Sequence, residues 1–156
     1  MKFLKATLDD IDQLVQMRVN YLLDDMGYLS ELQEKAIREQ LPSYYKRHLN
    51  KDMYAYLAVD NEKIIATAYL LIHEKPANPN FIQGKIGEVL SVLTLEEYRR
   101  QGISKKLLEQ LLNDAKQLGL DYVELDATED GYPLYKQVGF VENISCDVPM
   151  KYRILQ

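Results

Sequence analysis

The densest group of residues able to do chemistry is Tyr98-Arg99-Arg100-Gln101-Gly102-Ile103-Ser104-Lys105-Lys106. Arg99, Arg100, Lys105 and Lys106 place four cations within eight residues, and the apolar spacing that follows makes Gly102 a helix start. A helix N-terminus already carries about half a positive charge from its backbone dipole. Stability alone would favour Asp or Glu there, and each added cation costs roughly a few tenths of a kcal/mol. An anion resolves the conflict. The N–H groups of the first turn point outward, Gly102 lets the backbone come close, and Ile103-Ser104 adds no bulk that would block a phosphate. The other reading is a solvated basic helix end, with the cations facing water or Glu96 and Glu97. The segment is not a P-loop, lacking the upstream Gly and the Gly-Lys-Ser/Thr ending. Nor is it a dinucleotide fingerprint, with only one Gly of three.

Glu88 is the second candidate. It stands before the apolar run Val89-Leu90 near the start of a strand, where a carboxylate is partly buried and can serve as a base. A strand-end glutamate pairing with Lys85 or facing water is the alternative. Nearer the N-terminus lie Arg18, Tyr21, Asp24, Asp25, Tyr28, Glu31 and Glu34. The acidic members suit a cationic amine, Arg18 suits a carboxylate, and a solvated helix face accounts for both. His73 reads as a hydrogen-bonded histidine at a strand end. Most of the twelve tyrosines read as half-buried positions that an amphipathic ring favours.

Other chemistries are poorly supported. Cys146 is the single cysteine, and His48 and His73 are the only histidines. No disulfide framework follows, and no metal site is expected. With no helix start or cationic cluster beside it, Cys146 reads as a small buried or edge residue. Nineteen Lys and Arg against twenty-four Asp and Glu give a net charge of −5, a poor balance for general nucleic-acid binding. The N-terminus is interrupted by charge and lacks the apolar stretch of a secretory signal. Apolar runs reach about five residues, far short of the ~20 a membrane helix needs. A reducing cytoplasm and no membrane partner are the expectation. At 156 residues with 47% apolar and 28% charged side chains, residues 1–156 read as one globular domain.

The elements that must position these residues follow from periodicity. Residues 1–7 read as a first strand. Asp9 or Asp10 caps a helix with Ile11, Leu14, Val15, Arg18, Tyr21 and Leu22 at helical spacing, and Gly27 breaks it. Ser30 starts a second helix through Leu32, Ala36, Ile37 and Leu41; Pro42 breaks or kinks it, and the pattern resumes to about Leu49. Residues 53–59 and 63–73 form a hairpin across Asp60-Asn61-Glu62. Residues 76–84 are a loop. Residues 86–94 are a central strand, nearly apolar on both faces over 89–93. Residues 102–118 are the clearest amphipathic helix, with Gly119 as its stop. Residues 122–127 read as a strand, 133–138 as a short helix ending at Gly139, and 141–143 and 148–154 as two last strands. The order β-α-α-β-β-β-α-β-α-β-β is a mixed α/β layered domain.

Two motifs then carry a resemblance. Arg99-Arg100-Gln101-Gly102-Ile103-Ser104, between a hydrophobic strand and an amphipathic helix, resembles the (Gln/Arg)-x-x-Gly-x-(Gly/Ala) acetyl-CoA signature of the GNAT superfamily of N-acetyltransferases. Leu134-Tyr135-Lys136-Gln137-Val138-Gly139-Phe140 resembles that family's C-terminal Leu-Tyr-x-x-x-Gly-Phe motif. The order of elements is similar from end to end. The resemblance implies a mostly antiparallel central sheet flanked by helices. It implies an enzyme, an N-acetyltransferase that uses acetyl-CoA as cosubstrate without a metal and acetylates a primary amine by direct attack in a ternary complex.

It also implies roles residue by residue. Arg99, Arg100, Gln101, Gly102, Ile103 and Ser104 would wrap the CoA pyrophosphate. Val92, Leu93 and Thr94 would pair main-chain groups with the pantetheine arm. Tyr135 would protonate the leaving thiolate. Glu88 resembles, in placement, the general base of the histone-acetylating branch. Three positions depart from the pattern. Ser104 replaces the last Gly or Ala. Thr128 stands where many members have Asn, and Gly131 where they have Ala, so the usual side-chain contact of Thr128's position to pantetheine is in doubt. The acceptor, in this family lined by the first two helices and their connector, is a small-molecule amine or a peptide or protein amine. Many relatives pair as homodimers through their C-terminal strands. The competing readings are a non-catalytic CoA- or acyl-CoA-binding sensor on the same fold, and a small domain whose basic helix start contacts nucleic acid.

Overall fold

A computed structural model describes residues 1–155. The chain divides into two compact units, Met1–Asp126 and Ala127–Gln156. The first holds a five-stranded sheet in the order β1 (Lys2–Lys5), β2 (Met53–Asp60), β3 (Lys63–Glu74), β4 (Lys85–Thr94), β5 (Val123–Glu124). The first three pairings are antiparallel and β4–β5 is parallel. The β2–β3 hairpin turns through Asn61 and Glu62, both with positive φ, the geometry that matches the strands' own twist.

Helices α1 (Ile11–Met26), α2 (Glu31–His48) and α3 (Ile103–Gln117) complete this unit. A 3-10 turn at Leu8–Asp10 precedes α1. Thr7, rather than Asp9 or Asp10, caps that turn: its hydroxyl accepts from the Asp9 N–H, and the Asp10 carboxylate accepts from the Thr7 N–H at 2.8 Å. Ser30 and Gln33 form the same reciprocal cap on α2. Pro42 does not end α2. An interior proline costs about 3 kcal/mol, but Leu41 and Tyr45 on either side are buried in the core, and their burial offsets the missing hydrogen bond.

The register assigns the two faces of the sheet. Tyr56 opposes Ala68, and Tyr69 opposes Leu90. Side chains alternate along a strand, so Tyr56 and Ala68 share one face while Tyr69, Leu71 and Leu90 share the other. On the first face α3 packs its stripe of Leu107, Leu108, Leu111 and Ala115, all buried. On the second lie α1 and α2, whose Leu14, Val15, Leu41 and Tyr45 join Ala55, Leu57, Tyr69 and Leu93 in the core cluster. At Gly87 neighbouring side chains leave no room for a Cβ, which would meet Leu70 Cδ1 at 2.7 Å, Leu120 Cδ1 at 3.1 Å and Val123 Cγ2 at 3.2 Å.

β5 is two residues long, against an expectation of 122–127. The second unit holds α4 (Tyr132–Val138). The strands expected at 141–143 and 148–154 do not form: residues 140–155 have no strand partner. The alternation that suggested them is real, but a strand exists only by pairing its backbone, and Val148, Met150, Tyr152 and Ile154 are 78%, 93%, 86% and 81% exposed. Cys146 lies in the same stretch and is exposed rather than buried. Among the described residues no helix is long and apolar enough to cross a membrane.

Candidate active site

The central feature of the first unit is an interruption in β4. Its ladder to β3 slips between the pairs Tyr69↔Leu90 and Thr67↔Leu93, so Ser91 and Val92 stand opposite Ala68 alone. This is a β-bulge, a device that re-aims side chains and bends the strand. Ser91 takes a φ of 51°, unusual for a residue with a Cβ. Two bonds hold it there. Thr67 Oγ1 donates to the Ser91 carbonyl at 2.8 Å, and Arg18 Nη1 on α1 donates to Ser91 Oγ at 2.7 Å. On its other side β4 pairs with β5 only at Gly87 and Glu88. Beyond Glu88 no strand among the described residues pairs with that edge, so the backbone groups of residues 89–94 that point away from β3 have no strand partner there.

The basic loop leaves from the end of this edge. After a 3-10 turn at Glu96–Tyr98 the chain passes through Arg100 (φ 65°) and Gly102 (φ 74°) into α3. These two left-handed residues, two positions apart, make a tight turn of the kind whose successive backbone N–H groups form anion-binding concavities. Nothing lies within 4 Å of a Cβ built on Gly102, so its glycine is required by conformation and not by crowding. Thr94 Oγ1 and Ser104 Oγ share a hydrogen bond of 2.7 Å, tying the strand end to the first turn of α3. Arg99 Nε donates to the Thr94 carbonyl at 2.9 Å.

The crowding of charge read from the sequence is partly relieved inside the protein. Arg99 reaches Asp24 at 3.5 Å rather than Glu96 or Glu97. Lys105 lies 3.9 Å from Glu109, and Lys106 sits 4.0 Å from the Phe3 ring centroid. Arg100 is exposed, with no ion pair or side-chain hydrogen bond among the described residues.

Glu88 opposes Leu71 and so shares a face with Tyr69, Leu71 and Leu90. It is half-buried and sits 2.9 Å from His73 Nε2. Lys85, the alternative partner, is not its contact. Between this face and the helices is a cavity of about 210 Å³. Its floor is Tyr69, Leu71 and Leu90, and its walls include Arg18 of α1 with Gln40, Tyr44 and Tyr45 of α2. Tyr45 and Tyr69 join hydroxyls at 2.7 Å. Burial pushes the Tyr45 phenol up to about 12 and Tyr69 well above its usual value, so both are neutral hydrogen-bonding groups. Tyr44 is raised too, by burial first and then by the charges of Asp52 and Glu88.

In the second unit, Thr128 Oγ1 accepts from the Gly131 N–H at 3.1 Å. The side chain is engaged in the turn that starts α4. A Cβ at Gly131 would lie 2.8 Å from the Tyr135 ring, so the absence of Ala there gives that ring its position. The Tyr135 ring meets Phe140 edge-on at 6.0 Å.

The sequence profile of the Acetyltransferase (GNAT) family matches residues 19–140. This chain belongs to the GNAT acetyltransferase family. The GNAT assignment makes it an acyltransferase by kind and agrees with its fold. A structure described as a predicted acetyltransferase with acetyl-CoA, from Clostridium acetobutylicum, is 28% identical with a TM-score of 0.85, over 96% of this chain and 95% of that one. A GCN5-related N-acetyltransferase from Ralstonia eutropha JMP134 shares the fold at 20% identity, TM-score 0.78, over 96% and 97% of the two chains. A curated relative, an uncharacterized N-acetyltransferase of Dictyostelium discoideum, is 38% identical over 61 residues. That match covers 37% of this chain and only 28% of the relative's length.

Within this GNAT fold the basic loop opens α3 and Glu88 lies on β4, where the sequence reading put them. The sequence reading did not single out Ser91, Gln40 or the Tyr45–Tyr69 pair. The one signal available for Ser91 was a polar residue within a nearly apolar central strand.

Proposed function

We propose that the protein transfers an acetyl group from acetyl-CoA to a primary amine by direct attack in a ternary complex. The observation that carries the reading is the continuous backbone path from the open edge of β4, through Thr94–Ser104, to the left-handed loop at Arg100–Gly102. An extended chain ending in a diphosphate suits this path: its amides pair with Val92, Leu93 and Thr94 as an added strand. Its diphosphate meets the N–H groups of residues 99–104, with Arg100 free to add its charge. Acetyl-CoA supplies the activated acetyl group as a thioester.

The rest falls to the protein's own residues. A lysine-like amine has a pKa near about 10.4, so its neutral form is disfavoured by about 4–5 kcal/mol at pH 7. Glu88 takes the role of general base that removes this proton, with His73 bonded behind it. A backbone N–H on the open β4 edge donates to the carbonyl oxygen under attack. Tyr135, assigned by its place in the Leu134–Phe140 motif, gives a proton to the departing thiolate.

A thiol-release assay with an amine panel tests the reading. Turnover with at least one amine is expected, as is CoA binding by calorimetry. Tyr135→Phe is expected to lower kcat by about 10²–10⁴ with CoA affinity retained. CoA binding without release of thiol for any amine would make the domain an acyl-CoA sensor instead. No binding at millimolar CoA would remove the reading altogether.

A further inference from the structure

The cavity between the sheet and the helices has one charged wall. Of its lining residues only Arg18 carries a charge; the others are tyrosines, leucines and Gln40. Arg18 is half-buried, and one guanidinium nitrogen is committed to Ser91 Oγ. The guanidinium carbon lies 5.4 Å from the Tyr21 ring centroid, which fixes its plane further. No carboxylate among the described residues lies within 4.0 Å of it. A guanidinium has five N–H donors in a rigid fork that matches a carboxylate. Arg18 is therefore a positioned cation whose remaining donors have no anionic partner among the described residues.

None of the acidic residues that would have suited a polycationic acceptor lines the cavity: Asp24 faces Arg99, Glu34 bonds Arg38 at 3.1 Å, and Asp25 and Glu31 are exposed. The one carboxylate on the cavity's side of the sheet with a role in the proposed chemistry is Glu88, two residues along β4 from the lining residue Leu90, a step of about 6–7 Å. The site has a cationic pole at Arg18, neutral phenols lining the cavity, and an anionic group, Glu88, beside it on the same face of the sheet.

We infer that the acceptor is a small amino-carboxylate, whose carboxylate pairs with Arg18 and whose amine is directed toward Glu88. The inference rests on the proposed acetyl transfer for the word acceptor, but the binding it describes does not. The cavity's 210 Å³ suits a molecule the size of an amino acid rather than a folded protein surface. A single guanidinium balances a singly charged carboxylate; a dianionic phosphate would call for a second cation, and the lining offers none.

Calorimetry on the CoA-loaded protein tests this without relying on turnover. The probes are the common α-amino acids, their α-amides and spermidine. At least one amino acid is expected to bind about tenfold or more tighter than its amide, the size of a charge-assisted hydrogen bond, and tighter than spermidine. Arg18→Gln should abolish that preference and Arg18→Lys should restore part of it. Ser91→Ala, which frees the guanidinium without removing it, should retain the preference. Equal binding of acids and amides, no binding of any acid, or a preference that survives Arg18→Gln would each overturn the inference, whatever the turnover assay gives. An acid preference lost in Arg18→Gln but without thiol release would uphold the carboxylate site and defeat the proposed acetyl transfer.

Discussion

The two faces of the sheet use the same side-chain types to opposite ends. On the α3 face, Tyr56 donates to Asp114 Oδ2 at 2.8 Å, and Lys5 reaches the same oxygen at 3.0 Å. Burial would raise Asp114, but the bonds from Tyr56 and Lys5 outweigh it and hold the carboxyl below its usual range. Burial first, then the bond to Asp114, pushes the Tyr56 phenol far up. Cation, carboxylate and phenol satisfy one another, and nothing is left over for a ligand. On the α1–α2 face, Arg18 and the Tyr45–Tyr69 pair line a cavity, Glu88 stands two residues along β4 from the lining residue Leu90, and the cation and the carboxylate do not meet. A closed cluster contributes to stability. An open one, held apart by a bulge and a histidine, presents charges to something outside the chain.

Substitutions should separate the two. The largest expected effect is on the open face: Glu88→Gln lowers kcat by about 10²–10⁴ while the melting temperature and CoA affinity stay near wild type. Equal losses of stability and rate would erase the distinction. On the closed face, Tyr56→Phe removes a hydrogen bond to a charged group and should cost about 1.5–3 kcal/mol of unfolding free energy, read by urea denaturation, with kcat unchanged. Gly102→Ala sharpens the comparison from the loop. It meets no atom, so its cost is the left-handed backbone alone, about 1–2 kcal/mol, and CoA affinity should fall with it in calorimetry.

The smallest effect at ordinary pH comes from the phenols. Tyr45 and Tyr56 have folded pKa values raised above 10. The unfolded chain therefore loses these protons first. Their contribution is whole below about pH 10 and is lost as pH rises, for Tyr45 up to about 12. Melting temperatures that stay flat from pH 10 to 12 would contradict the burial of both faces.

Much of the frame was legible because its signals are local. The amphipathic stripe of α3, the Asn61-Glu62 turn and the cations beside Gly102 are each read within a few residues. What escaped was long-range. Arg18 and Ser91 are 73 residues apart, Tyr45 and Tyr69 are 24 apart, and His73 and Glu88 are 15 apart. No periodicity announces such contacts; the first two follow from how α1 and α2 pack on the sheet, and the third from the register of β3 against β4. The expected final strands failed for a related reason. Alternation along 148–154 describes one chain's readiness to pair, while pairing requires a second edge. The half-burial of Glu88 was legible in its neighbours Val89-Leu90, but its partner His73 came from across the ladder.

The brevity of β5 has a consequence for how the molecule would feel its cosubstrate. The amides of β4 past Glu88 that point away from β3 should exchange their hydrogens for deuterium quickly, although they belong to the middle of a sheet. Once an extended guest lies against them, the same amides should become slow, converting a structural gap into a signal that can be followed residue by residue in solution.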